Sequence, residues 1–127
     1  MKGTLWTIII LAITIVAVGI ASTTISAKIS REFSQDLAAA EESIRKEDWE
    51  QAKRTVDAMK NEWKETCQWL QIWVHHEDTD DVSLSLEQLT AAIEVQDKPQ
   101  SLITSAELGE TLRHIYHRDS LVIGNIL

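Results

Sequence analysis

Hydrophobic residues recur every three or four positions along most of the chain, which is the spacing of amphipathic α-helices. The clearest stretch runs from Trp49 to His76 and contains four of the five tryptophans. Counted in heptads, its apolar face comprises Trp49, Ala52, Val56, Met59, Trp63, Thr66, Leu70 and Trp73. We expect a long helix whose tryptophan face lies in a protein core, as large aromatic side chains at this spacing usually do. An exposed groove for a peptide or lipid is the alternative.

The stretch before this helix continues the same spacing and predicts a helix that ends near Arg45. Its apolar positions are Ile25, Ile29, Phe33, Leu37, Ala40 and Ile44. The polar segment Lys46-Glu47-Asp48 follows, and Asp48 with Gln51 has the spacing of a helix-capping box. The chain should therefore fold back here into an antiparallel hairpin.

The segment 75–81 is polar throughout and predicts a second break. Apolar residues alternate with serines directly after it, as in a strand, but Leu89 and Ile93 continue the helical spacing. We therefore expect a third helix that begins between Asp80 and Ser83.

A fourth helix should follow Asp97-Lys98-Pro99, because proline is tolerated in the first turn of a helix. The positions that carry it are Leu102, Ser105, Leu108, Leu112 and Ile115. Gly124 should interrupt the apolar tail 121–127. We expect this tail to pack on the bundle, because it contains no basic residue that would favour lipid head groups.

A shift of 49 residues superimposes the second pair of helices on the first. The matching positions are Leu37 with Leu86, Ala40 with Leu89, Ile44 with Ile93, Asp48 with Asp97, Met59 with Leu108 and Trp63 with Leu112. The predicted fold is all-α, with one N-terminal transmembrane helix followed by a small antiparallel helical bundle of two helical hairpins.

The N-terminal segment 3–27 carries no charged residue, and about 20 apolar residues are enough for a helix to cross a bilayer. We expect residues 4–22 to cross the cell membrane once, with 1–27 as the anchor and 28–127 as the bundle domain. A signal peptide cleaved near Gly19-Ile20-Ala21 is the alternative. The short segment before the apolar run favours a bundle outside the cytoplasm.

Charge limits the kind of partner. Residues 28–127 carry 11 Lys and Arg but 20 Asp and Glu, a formal charge of −9. Phosphate backbones repel such a domain, so we expect no nucleic acid partner. The single cysteine, Cys67, cannot form an intramolecular disulfide and is expected to be a half-buried structural residue.

The four histidines supply the one candidate site, because the predicted ends of the second and fourth helices should lie side by side. His76, His114, Asp78 and Asp80 would form a metal- or pH-responsive site with the acidic loop 77–81, since imidazole and carboxylate bind zinc or manganese. The simpler interpretation, which we prefer, is that these residues cap helix ends and form turns, without a cofactor.

The sequence shows no nucleophile–base pattern, glycine-rich phosphate loop or HExxH motif, so we expect no enzymatic activity. The leading functional hypothesis is a membrane-anchored, extracytoplasmic interaction or scaffold module whose partner is another protein. The metal- or pH-responsive site is the second hypothesis.

One combination of residues resembles a known bacterial family, the one called domain of unknown function 4363. It consists of Asp48-Trp49, Ala52, Trp63, Trp69, His76, the leucine positions, His114 and Asn125-Ile126-Leu127. The resemblance covers nearly the whole chain and implies a single N-terminal membrane helix. That family has no established activity, so the resemblance implies an architecture and no mechanism.

Overall fold

The computed structural model describes residues 1–70 and 76–126, except for the side chains of residues 22, 23, 26, 69, 70, 76 and 118–126. The described part contains four α-helices, which confirms the predicted all-α fold. They are α1 (Lys2–Arg45), α2 (Trp49–Leu70), α3 (His76–Glu94) and α4 (Lys98–Ile126).

α1 is one continuous helix of 44 residues whose two halves have different surroundings. Its first half, Lys2–Ala21, has a mean hydropathy of 2.5, and none of it is buried inside the protein. By length and composition this half can cross a membrane. Its second half supplies core residues from Phe33 onward. Ile25, predicted to lie on the core face, is 58% exposed, because the bundle begins about one turn later.

The helices form an antiparallel bundle in which each packs on two neighbours. α1 packs on α2 and α4, and α3 packs on the same two helices. The core contains Phe33, Leu37, Ala40, Ile44, Ala52, Val56, Met59, Trp63, Val82, Leu86, Leu89, Ile93, Leu108, Leu112 and Ile115. These residues include most of the predicted apolar positions, so the helical spacing identified the core correctly.

The turn between α1 and α2 has the hydrogen bonds of a Schellman motif. The Glu47 N–H donates to the Ile44 carbonyl oxygen at 3.0 Å, and the Asp48 N–H donates to that of Ser43 at 2.9 Å. Glu47 has a φ of 58°, in the left-handed region that favours glycine. Asp48 then caps α2, because its Oδ1 accepts the Gln51 N–H at 3.2 Å.

The turn between α3 and α4 repeats this geometry 49 residues later. Gln96 has a φ of 56°, and the Asp97 N–H donates to the Ala92 carbonyl oxygen at 3.0 Å. The Asp97 Oδ1 accepts the Gln100 N–H, also at 3.0 Å. Each of these residues has its counterpart 49 positions earlier in the first turn, so the predicted repeat is confirmed in the backbone.

Both turns lack one bond of a complete capping box, which was predicted at the first turn. The Gln51 side chain donates to the Thr55 Oγ1 at 3.5 Å, and the Gln100 side chain donates to the Thr104 Oγ1 at 3.1 Å. A complete box would instead bond the glutamine to the N–H of Asp48 or Asp97. Those N–H groups already donate to carbonyl oxygens of the preceding helix.

The two turns lie together at one end of the bundle, the distal end. The Lys98 Nζ donates to the Arg45 carbonyl oxygen at 2.9 Å, which joins the start of α4 to the end of α1. The first half of α1 leaves the bundle at the opposite end, the proximal end. The turns therefore point away from the apolar segment Lys2–Ala21.

α3 begins at His76, four or more residues before the predicted start, so the acidic loop 77–81 is helical. Glu77 and Asp78 lie in its first turn, where carboxylates interact favourably with the positive end of the helix dipole. Thr79 and Val82 are buried at helical spacing and bring this first turn into the core. His75 and Trp73 lie outside the described residues, so how far the tryptophan helix extends past Leu70 stays a prediction.

α4 continues through Gly124 to Ile126, so the predicted interruption is wrong. A single glycine costs a helix about 1 kcal/mol relative to alanine, which weakens the helix without ending it.

Candidate functional site

The residues of the predicted metal site lie on two helices. His114 is exposed on α4, and its Nε2 lies 3.7 Å from the Glu110 Oε1 one turn earlier. Asp80 is exposed and Asp78 is half-buried, both on α3. His76 is the first residue of α3, and its side chain lies outside the described ones.

Among the described side chains, no three or more histidines, cysteines or carboxylates converge in a way that would hold a metal ion. The described neighbour of the His114 ring is a carboxylate on its own helix. Because the His76 side chain is not among those described, the four-residue site stays a prediction.

Trp63 lies in the core, as predicted. Its side chain is 3% exposed, and its ring packs edge-on against Phe33 with the centroids 5.7 Å apart. Its Nε1 donates to the Ser83 Oγ at 3.0 Å, and that hydroxyl donates to the Thr79 carbonyl oxygen at 3.0 Å. At this position the tryptophan face is an interior surface, which argues against the alternative of an exposed groove.

A shallow groove of about 630 Å³ lies between α2 and α3 next to Trp63. The Lys60 Nζ and the Glu87 Oε1 form an ion pair across it at 2.8 Å. Cys67 lines the groove and is half-buried against the core, as the sequence predicted. The groove has a mixed polar rim with paired charges and offers no concentrated charge of one sign to a ligand.

Exposed apolar side chains also occur on α3 and α4. Beyond Ile29, the exposed large hydrophobic residues in the described part of the chain are Leu84 (58%), Val95 (75%) and Ile103 (53%). Leu84, Ala91 and Val95 lie at helical spacing along one side of α3, and Ile103 lies on α4. We call these four residues the α3–α4 apolar face.

A depression of about 530 Å³ lies beside this face near the distal end. Ala91 and Val95 supply its apolar wall, and Asp97 and Glu107 supply carboxylates. The sequence predicted that α3 is helical. It did not indicate which apolar residues of α3 would be exposed to solvent.

Carboxylates also gather where α1 meets α2. Partial burial, followed by the nearby charges of Asp36, Glu32 and Glu65, raises the pKa of Glu62 above its ordinary value. These side chains repel one another, and they do not form a metal-binding group among the described residues. Their effect is on stability, and it depends on pH.

The fold defines a class: an antiparallel helical bundle, with four helices in the described residues, whose first helix extends into an apolar segment long enough to cross a membrane. Within that class, the chain belongs to the family described as domain of unknown function, DUF4363, whose model matches residues 20–126. No curated protein matches the chain, and no solved structure does. The predicted resemblance is therefore confirmed, and it assigns no activity.

Proposed function

We propose that the protein is a membrane-anchored helical module that binds another protein and has no catalytic activity. The difference between the two halves of α1 supports this proposal most directly. Lys2–Ala21 is apolar and exposed, whereas the second half of the same helix builds the core. A fully exposed apolar helix of 20 residues is unfavourable in water and matches the roughly 30 Å hydrocarbon core of a bilayer.

The α3–α4 apolar face supports an interaction role. Val95 and Ile103 lie close to the distal end, where a protein partner would meet no obstruction from the membrane. The acidic border and the formal charge of −9 on residues 28–127 favour a partner with lysine and arginine around its contact patch.

We place the bundle outside the cytoplasm. This orientation leaves Lys2 on the cytoplasmic side of the apolar segment. Labelling of intact cells with a membrane-impermeant thiol reagent at Asp48→Cys, in a Cys67→Ser background, tests this orientation. Labelling only after the cells are lysed would contradict it.

Alkaline extraction of membranes tests the anchor. The full-length protein should stay in the membrane fraction, and the variant Ile9→Lys/Ile13→Lys should be released, because each charge at the centre of a span costs roughly 2.5–3.5 kcal/mol. The matched control is Ser34→Lys/Ala38→Lys, which places two charges at exposed positions farther along the same helix. Release of the unaltered protein would contradict anchoring.

Photo-crosslinking in the native host tests the interaction. A photoreactive residue at Val95 or Ile103 should give a discrete product containing a second protein, and the same residue at the exposed α2 position Ala58 should not. The product should disappear when Ala91→Glu is added on the same face. Equal products at all three positions, or a product containing only this chain, would contradict the proposed partner.

A further inference from the structure

Contacts between α1 and α4 fix the register of these two antiparallel helices. The Ser105 Oγ donates to the Glu41 Oε1 at 2.9 Å. One turn farther along α4, a Cβ atom at Gly109 would lie 3.3 Å from the Leu37 Cδ2. Both pairs follow the same register, in which each step forward in α4 is one step back in α1.

Continued along both helices, this register places Arg118 level with Lys28 and Ile126 level with Ile20. The last turns of α4 therefore lie at the height at which the apolar segment Lys2–Ala21 of α1 ends.

The described residues of the other two helices all lie above this height. Contact of Phe33 with Trp63 sets the register of α1 and α2, and it places Leu70, where α2 ends, level with residue 26. The bond from Trp63 to Ser83 sets the register of α2 and α3, and it places the start of α3 at the same level. Among the described residues, the last turns of α4 therefore have only α1 as a neighbouring helix.

The change from charged to apolar sequence falls at one level on both helices. α1 carries no charge from Gly3 to Ala27, and its first charged residue after that segment is Lys28. α4 has its last charged side chains at Arg118 and Asp119 and then continues with the uncharged residues 121–126. The register places Arg118 beside Lys28, so the two boundaries coincide although the segments are about 90 residues apart in sequence.

We propose that residues 121–126 of α4 enter the interfacial layer of the membrane that α1 crosses. This inference rests on the proposed anchor. Six helical residues extend about 9 Å along α1, which is comparable with the interfacial layer of roughly 5–8 Å on each side of the hydrocarbon core. The tail was expected to pack on the bundle, but the described residues of α2 and α3 end at the level where the tail begins.

A second attachment changes what the anchor does. A single transmembrane helix leaves a domain free to rotate about that helix and to tilt with it. Contact of α4 with the bilayer, at a fixed register to α1, restricts both motions. The α3–α4 apolar face then keeps one orientation relative to the membrane.

Spin labels on the full-length protein in phosphatidylcholine vesicles test the inference. Single labels at Ile123→Cys, Ile103→Cys and Val16→Cys, in a Cys67→Ser background, are compared for collisions with oxygen, which concentrates in lipid, and with a water-soluble nickel complex. Ile103 lies on the same helix and is 53% exposed, so it is the matched control. The ratio of oxygen to nickel accessibility should be highest at Val16, intermediate at Ile123 and lowest at Ile103.

A lipid-like Val16 with a ratio at Ile123 equal to that at Ile103 would overturn the inference and leave the anchor intact. Low accessibility of Ile123 to both reagents would also overturn it, because the tail would then pack on protein. A water-like Val16 would overturn the anchor together with the inference. A label at Asn125→Cys repeats the measurement if the Ile123 variant loses the helical circular dichroism of the parent.

Discussion

The Nε1 atom of Trp63 donates a hydrogen bond to the Oγ atom of Ser83 at 3.0 Å and so joins α2 to α3. The ring of Trp63 also packs edge-on against Phe33 of α1. This residue therefore contacts two other helices from a position that is 3% exposed.

Trp63→Ala should unfold most of the bundle. Truncation of a buried aromatic side chain costs roughly 3–5 kcal/mol, a large share of the 5–15 kcal/mol that a typical domain possesses. Trp63→Phe is the matched control, because it keeps an aromatic ring and loses the bond to Ser83, at a cost of about 1 kcal/mol. Urea unfolding of the full-length chain in detergent, followed by circular dichroism, measures both. An alanine variant as stable as the parent would place Trp63 outside the core.

Glycine at the two turns should stabilise the bundle. The left-handed conformation of Glu47 and Gln96 costs a side-chain-bearing residue about 1–2 kcal/mol, which exceeds the roughly 0.5–1 kcal/mol that glycine loses through its greater freedom in the unfolded chain. Glu47→Gly and Gln96→Gly should each raise the melting temperature. Lys46→Gly should lower it, since Lys46 has a φ of −80°. A decrease for all three variants would contradict the strain at these turns.

Glu62→Gln should stabilise the protein at neutral pH. The raised pKa means that the folded state holds this proton more tightly than the unfolded chain does. The free energy of unfolding therefore falls as the pH rises from the ordinary carboxyl range through the raised pKa, and the loss is complete above it. Replacing the carboxylate removes that loss. The free energy of unfolding should rise by less than about 1 kcal/mol, because the site is largely solvated.

The stabilisation by Glu62→Gln should disappear when melting curves are recorded below the ordinary carboxyl pKa, where the parent carboxyl is also neutral. Glu87→Gln is the control, because Glu87 faces the Lys60 ammonium at 2.8 Å rather than other carboxylates. That variant should be no more stable than the parent at neutral pH. Equal stabilisation by the two substitutions would show that the carboxylates near Glu62 have no special effect.

The sequence predicted the helices because each one carries a continuous apolar face. It predicted the repeat because apolar positions, together with Asp48 and Asp97, match at a shift of 49 residues, and the two aspartates do cap their helices in the same way. It placed the start of α3 too late, since His76 to Asp81 is polar and resembles a loop when read alone. Burial of Thr79 and Val82, which depends on the neighbouring helices, makes this segment helical.

The candidate surfaces were harder to predict than the helices. Val95 and Ile103 are exposed because none of the described helices covers them, and periodicity along one chain cannot show which helix packs where. The predicted histidine cluster rested on the ends of the second and fourth helices lying side by side. The helical start at His76 places Asp78 and Asp80 on α3, and the ring of His114 lies beside Glu110 on α4.

Zinc should leave the melting temperature of the tag-free, full-length protein unchanged at neutral pH. We expect this result because His114 is exposed and its described neighbour, Glu110, lies on its own helix. A ligand that binds only the folded state would raise the melting temperature. A zinc-dependent rise that disappears in His114→Ala, and at pH values at which imidazole is protonated, would instead establish the metal site with His76, Asp78 and Asp80.

Depth measurements at the two ends of the bundle test most directly whether α1 anchors the protein with its turns pointing away from the membrane. The register of the helices separates the levels of Asp48 and Asp80 by about 27 Å along the bundle. Fluorescent labels at Asp48→Cys and Asp80→Cys, each in a full-length Cys67→Ser background, are compared in vesicles with a quencher confined to the bilayer. We predict clearly stronger quenching at Asp80 than at Asp48. Equal quenching, or stronger quenching at Asp48, would contradict this arrangement.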